Sequence, residues 1–148
     1  MNRKLVPSVV KPQSVAALGS EASVRDAAKL MAERRIGAIV VIDGGRLSGI
    51  FTERDLMTRV VAQDRDPTKT RIGEVMTRGP DTMAPDDTAG EALKLMSERR
   101  YRHLPIVDGE RIVAILSIRD LHEAVLSSLE EDVRQRDQLI FGSAHGLA

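Results

Sequence analysis

Two stretches of the chain carry nearly continuous apolar runs that are broken at matching places. The first, Ile36 to Leu56, has an apolar run over 38–42 and a break at Asp43-Gly44-Gly45. A second run follows over 47–51, and then Thr52-Glu53-Arg54-Asp55. The second stretch, Tyr101 to Leu121, breaks at Asp108-Gly109 and ends in Ser117-Ile118-Arg119-Asp120. Two apolar runs around a Gly-containing break predict a β-hairpin, and the hydroxyl that follows predicts a helix start. Runs this continuous predict strands covered on both faces. The spacing is constant: Asp43 and Asp108, Thr52 and Ser117, and Asp55 and Asp120 are each 65 residues apart. A gapless internal repeat is the main feature of the chain.

A helix signal precedes each hairpin. Ser23-Val24-Arg25-Asp26 and Thr88-Ala89-Gly90-Glu91 have capping-box spacing. Ala27, Leu30 and Met31, and again Ala92, Leu95 and Met96, make one apolar face each. Arg34-Arg35 and Arg99-Arg100 suit the negative end of the helix dipole. Short strands are predicted at Val15-Ala16-Ala17-Leu18 and Asp81-Thr82-Met83. The order strand-helix-strand-strand-helix therefore occurs twice. The expected fold class is α/β (α+β): two pseudo-symmetric repeats, each a small β-sheet with flanking helices, packed together as one module.

Residues 1–14, with Pro7 and Pro12, read as an extended arm; repeat one spans 15–66 and repeat two 80–128. Between them, 67–79 is a linker ending in Ile72-Gly73-Glu74-Val75-Met76-Thr77 and its flank. A helical extension and tail cover 129–148. Each repeat is near the size at which a domain alone is marginal, so the halves are expected to bury apolar faces against each other. Leu121, Val125, Leu129 and Val133 recur every four residues, which carries the final helix past repeat two. That helix either packs on its own module or serves as a dimer contact or a strap across a partner's cleft.

The 148 residues hold 22 Lys plus Arg against 22 Asp plus Glu with no basic block, which argues against nucleic acid as the main ligand. There is no Cys, so disulfides and thiolate-bound zinc are excluded. No apolar run approaches a membrane span, and Met1-Asn2-Arg3-Lys4 leads into no signal-peptide core. The expected location is cytoplasmic. Aromatic residues are limited to Phe51, Tyr101 and Phe141, so the core must be aliphatic.

The chemistry concentrates at the two strand-to-helix junctions. A hydroxyl at Thr52 or Ser117 and a carboxylate at Asp55 or Asp120 meet at a helix N-terminus, where free N–H groups and the dipole favour phosphate. An ionised Asp is a pure acceptor whose two oxygens suit the two hydroxyls of a ribose. Arg54 and Arg119 add positive charge in the same turn. The same spacing is also that of a plain cap, as at Ser23 and Thr88. The hairpin before the junction, the surrounding repeat and the Arg-Asp pair kept in both copies favour ribose-phosphate binding.

The doubled order, the linker phrase Glu74-Val75-Met76-Thr77, the phrase Tyr101-Arg102-His103-Leu104-Pro105-Ile106-Val107-Asp108, and the endings Thr52-Glu53-Arg54-Asp55 and Ser117-Ile118-Arg119-Asp120 resemble a tandem pair of CBS (cystathionine β-synthase) domains. The resemblance covers roughly residues 10–128. It implies a stand-alone bacterial-type nucleotide sensor with two clefts between the repeats, assembled as a disc-shaped homodimer. It implies AMP, ADP, ATP or NAD(H) as ligand, with Mg²⁺ accompanying the phosphates in one version of that reading. It also implies that residues at the second strand's start face the nucleotide: Ala38 in copy one, and Arg102 and His103, continued by Leu104 and Pro105, in copy two. The backbone at Ala17 and Thr82 would meet the adenine. His103 weighs equally as a hydrogen-bonded structural residue, and Pro105 predicts an edge or a bulge in its strand.

The copies differ where it matters. The resemblance implies a small residue opening the Gly-x-x-Thr/Ser-x-x-Asp pattern, where the backbone comes close to the ligand: Gly49 fits this in copy one, and Ala114, small but not Gly, fits it less well in copy two. Arg102-His103 replaces Gly37-Ala38, so the clefts are not expected to be equivalent. Catalysis has little support: the chain carries no nucleophile elbow, no His-Glu-x-x-His, no Walker loop and no Gly-x-Gly-x-x-Gly. His122 and His145 have no evident partners, and Asp55 and Asp120 belong to separate sites. The expectation is a non-enzymatic regulator with no catalytic cofactor, acting on an unknown downstream protein. The alternative is a structural dimerisation or scaffold domain whose clefts stay empty; a nucleic-acid regulator and a small hydrolase are weaker.

Overall fold

Gly44 and Gly45 take φ of 57° and 75°, the positive values a two-residue hairpin loop demands, and Asp43 pairs with Arg46 across them in a computed structural model of the chain. The structure describes residues 2–145. The hairpin strands are β2 (Ala38–Asp43) and β3 (Arg46–Thr52), preceded by β1 (Ala17–Leu18) and α1 (Val24–Arg34). Helix α2 starts at Glu53–Asp55 and widens over Leu56–Val61; α3 (Ile72–Val75) and β4 (Thr77–Arg78) follow. The sheet order is β1-β2-β3-β4, with β1 parallel to β2 and the other pairs antiparallel.

Copy two repeats this with α4 (Ala89–Arg99), β5 (His103–Asp108), β6 (Arg111–Ser117) and α5 (Ile118–His145). Its sheet holds only β5 and β6. The strand expected at 81–83 shrinks to a single parallel bridge from Met83 to Ile106. Pro80 and Pro85 bracket that segment, and proline cannot donate to a ladder. Pro105 sits where its missing N–H is tolerated: its carbonyl accepts from Met83 on this thin edge, and the ladder bulges between Ile106 and Val107.

The caps largely follow the sequence. Thr88 and Glu91 exchange both bonds of a capping box. At Ser23 only the hydroxyl half is made, accepting from the Asp26 N–H at 3.1 Å.

Apolar side chains gather in two clusters rather than one. Ala27, Met31, Ile39, Val41, Phe51 and Val60 fill the first, and Ala92, Met96, Leu104, Ile106, Leu116 and Leu121 the second. The other face of β2, with Ala38 and Val40, is also buried, and β2 runs against β6 of the other repeat.

Each cluster is completed by the segment that precedes the opposite repeat. Ile72, Val75 and Met76 enter the first cluster, while Leu5 and Val10 enter the second. Residues 1–14, expected as an extended arm, are in part a folded piece of repeat two: Leu5–Val9 closes one wide turn, and Leu5 is fully buried. The Leu5 N–H donates to the Asp87 carbonyl at 2.8 Å, as the Ile72 N–H donates to Ala22 at 2.9 Å. Further on, the Gln13 N–H donates to the Val113 carbonyl at 3.0 Å, and the Gln13 side chain accepts from the Ile115 N–H.

Leu5→Ala should therefore behave as a core truncation. A loss of about 2–5 kcal/mol is expected, lowering the Tm by roughly 4–20 °C in a thermal melt. A freely dangling arm would give no change.

Candidate functional site

The capping that starts α2 also builds its side of a cleft. The Thr52 hydroxyl accepts from the Asp55 N–H at 3.2 Å, and Asp55 Oδ2 accepts from the Thr52 N–H at 3.0 Å. Asp55 is buried at 8% exposure, and its Oδ1 lies 3.6 Å from Arg59 Nε. At the second junction Asp120 Oδ2 accepts from both the Ser117 N–H (2.8 Å) and the Ser117 hydroxyl (2.9 Å). In each case one carboxylate oxygen holds the cap and the other is turned from it, so capping and ligand acceptance do not compete for the same atom.

Two cavities lie between the repeats. The smaller, about 300 Å³, sets Thr52, Arg54 and Asp55 against Thr77, Pro80, Asp81 and the run Arg99 to Leu104. The larger, about 1120 Å³, sets Ser117, Arg119 and Asp120 against Gln13 to Ala16 and Arg34 to Ala38. Each cleft thus joins the hydroxyl-carboxylate junction of one repeat to the strand start and helix end of the other. Glu53, Arg102 and His103 line both.

The difference in size has a visible contributor. Arg54 Nη1 donates to the Arg100 carbonyl at 3.0 Å, across the smaller cleft. No corresponding bond from Arg119 to Arg35 occurs among the described residues.

Thr52, Arg54, Asp55, Arg102, His103 and Leu104 thus meet in the smaller cleft, and Ala38, Ser117, Arg119 and Asp120 in the larger. Ala17, Thr82 and Pro105 line neither. Their neighbours Ala16 and Asp81 do, because alternation along an extended segment turns successive side chains to opposite sides. Gly49 also plays a different part from the one expected. A Cβ there would fall 2.5 Å from Met76 Sδ and 2.7 Å from the Thr77 carbonyl, so its bare backbone admits β4, not a ligand.

Sequence reasoning missed Arg59, Arg99, Arg100 and Tyr101 in the smaller cleft and Arg34 and Arg35 in the larger. The 65-residue echo of Arg34-Arg35 in Arg99-Arg100 was the available signal, and the helix dipole absorbed it. The Tyr101 hydroxyl is bonded to Asp81; burial and that carboxylate raise its pKa above 10.

His103 stands where the clefts meet. A Cβ on Gly37 would lie 3.0 Å from Glu53 Oε1 and 3.1 Å from His103 Nε2, so the glycine lets these two side chains close over it. Burial pushes the His103 pKa below its ordinary 6.5. Glu53 and Asp120 oppose that shift, while Arg102 and Arg54 add to it. Among the described residues no group of three or more His, Asp or Glu side chains is placed to hold a metal ion, and no helix is long and apolar enough to cross a membrane.

The fold and its two shared clefts define a tandem α/β repeat pair. The chain belongs to the CBS domain family, whose model matches residues 6–62 and 72–127. It is 36% identical over 107 residues to the CBS domain-containing protein YhcV of Bacillus subtilis, covering 72% of this chain and 76% of that one. CBSCBSPB2 of Arabidopsis thaliana is 37% identical over 118 residues, 79% of this chain. The chain spans only 22% of that relative's length and 21% of CBSCBSPB3's. A solved CBS-domain protein from Burkholderia ambifaria MC40-6 superposes with a TM-score of 0.80 at 37% identity, covering 84% of this chain and 95% of its own. The CBS domain pair of protein MJ0100, solved with 5'-methylthioadenosine and S-adenosyl-L-methionine, superposes at 0.76 with 26% identity, covering 86% and 99%.

The depressed pKa makes His103 neutral at pH 7. Its contribution to stability is complete above the unfolded value of about 6.5 and is lost as pH falls through the lower folded value. An NMR titration should place the His103 midpoint below 6.5, and His103→Gln should flatten the fall in stability as the pH drops below that ordinary value.

Proposed function

We propose that the chain is a sensor of adenine nucleotides, taking AMP, ADP, ATP or NAD(H) in its inter-repeat clefts and signalling by a change in how the repeats sit together. The observation that carries this is the composition of each cleft: an acceptor carboxylate and hydroxyl on one repeat face arginines on the other. Asp55 Oδ1 and its counterpart on Asp120 suit ribose hydroxyls, and Arg54, Arg102 and Arg119 suit phosphates. A ligand that touches both repeats favours one relative placement over another, and only that difference in affinity can shift the population. The adenosine ligands bound by the MJ0100 pair support the class of ligand. No catalytic step is assigned, and a downstream protein would read the shifted state.

The reading includes a homodimer. Met57 and Val61 on the widened part of α2, and Leu126 and Leu129 on α5, are 56–62% exposed. Val61 and Leu126 are again 65 residues apart, so each repeat presents an exposed apolar side chain at the equivalent place, and we assign these two positions to the dimer contact. Val61→Glu with Leu126→Glu should convert the dimer to a monomer in sedimentation; unchanged mass would refute this surface.

A thermal-shift panel of AMP, ADP, ATP, NAD⁺, NADH, S-adenosylmethionine and GTP, with and without Mg²⁺, tests the sensor. At about 100 times its dissociation constant a ligand adds roughly 2.7 kcal/mol, or about 5–10 °C here. Adenine ligands alone should shift the wild type, and Asp55→Ala or Asp120→Ala should remove the shift of the cleft each serves. No shift with any ligand, in protein carrying none from purification, would establish the scaffold instead.

A further inference from the structure

Two arginines adopt a backbone conformation that their side chain disfavours. Arg35, just after α1, has φ 54° and ψ 47°; Arg100, just after α4, has φ 59° and ψ 33°. Among the described residues only Asp64 joins them as a non-glycine with positive φ. This is the left-handed helix end that glycine occupies without cost and asparagine tolerates, whereas a residue with a long side chain is strained there. The strain occurs at the same place in both repeats, and with the same residue.

No local partner accounts for it. Among the described residues neither side chain makes an ion pair or a hydrogen bond, and both residues are exposed. The helix dipole already has Arg34 and Arg99 in the last turns. What Arg35 and Arg100 share is position: Arg100 lines the cleft of Asp55, and Arg35 lines the cleft of Asp120. The bond from Arg54 to the Arg100 carbonyl pins the first of these helix ends beside the Asp55 junction.

We infer that Arg35 and Arg100 are phosphate-recognition residues, each delivered to its cleft by the helix end of the opposite repeat, and that the backbone strain is tolerated for the guanidinium it places there. This rests on the nucleotide reading above and extends it to the residues that bind the phosphates. A planar guanidinium without a carboxylate partner suits a phosphate better than an ammonium does.

Glycine substitution separates this from a purely structural role, because it relieves the strain while removing the charge. Arg35→Gly and Arg100→Gly should raise the melting point of ligand-free protein by roughly 1–4 °C. In calorimetric titrations the variant of the working cleft should weaken AMP and ATP by about tenfold or more, leaving adenosine within about twofold. Arg100→Lys should keep part of the affinity without the gain in melting point. Unchanged AMP and ATP affinity in both glycine variants, an equal loss for adenosine, or a lowered melting point without ligand would overturn the assignment. Pyrophosphate serves as the second probe. If wild type takes up pyrophosphate through these arginines but no adenine nucleotide, the nucleotide reading alone fails. If it takes up neither, both fail.

Discussion

Everything else in this molecule depends on a reciprocal exchange. Neither repeat closes its own core; each is finished by the segment that leads into the other. Ile72, Val75 and Met76 pack under β3 of the first repeat, and Leu5 and Val10 close the second. Small units bury too little of their surface to be stable alone, and borrowing a turn of helix and an edge adds apolar burial where it is short. Because each borrowed segment leads on into the opposite repeat, the exchange also ties the two repeats to each other. The clefts lie between them.

Much of this was legible in the chain. The constant spacing of Asp43 and Asp108, and of Thr52 and Ser117, locates both hairpins and both junctions in the sequence itself, because hairpin loops and caps are local and tolerate few residue types. The exchange was not legible, for a definite reason. Leu5 plays the part of Ile72, which is 67 residues away rather than 65, so the arm falls out of register with the repeat. Its burial is decided by a long-range contact that no local periodicity records. Gly49 misled in the same way: the requirement for a bare backbone was real, but the close neighbour is Met76 of the same chain.

The clefts show what balanced composition hides. Equal numbers of acids and bases suggested no charged surface, yet Arg54, Arg59, Arg99, Arg100 and Arg102 converge on one cavity from two separate parts of the chain. Symmetry is broken there as well. Copy two carries Arg102-His103 in place of Gly37-Ala38, and these longer side chains reach both cavities. The prolines at 80 and 85 thin the second sheet and leave β5 with a lighter edge than β2. Under the sensor reading proposed above, duplicated units with unequal clefts offer two thresholds rather than one.

The exposed loop over 63–69 is the only covalent link between two halves that hold each other's cores. Cutting it would not release two independent domains. The N-terminal piece would still carry Leu5 for its neighbour, and the C-terminal piece would still carry Ile72 in return. Such pieces should find each other when made separately, so the fold already has the layout of a split protein whose fragments complement.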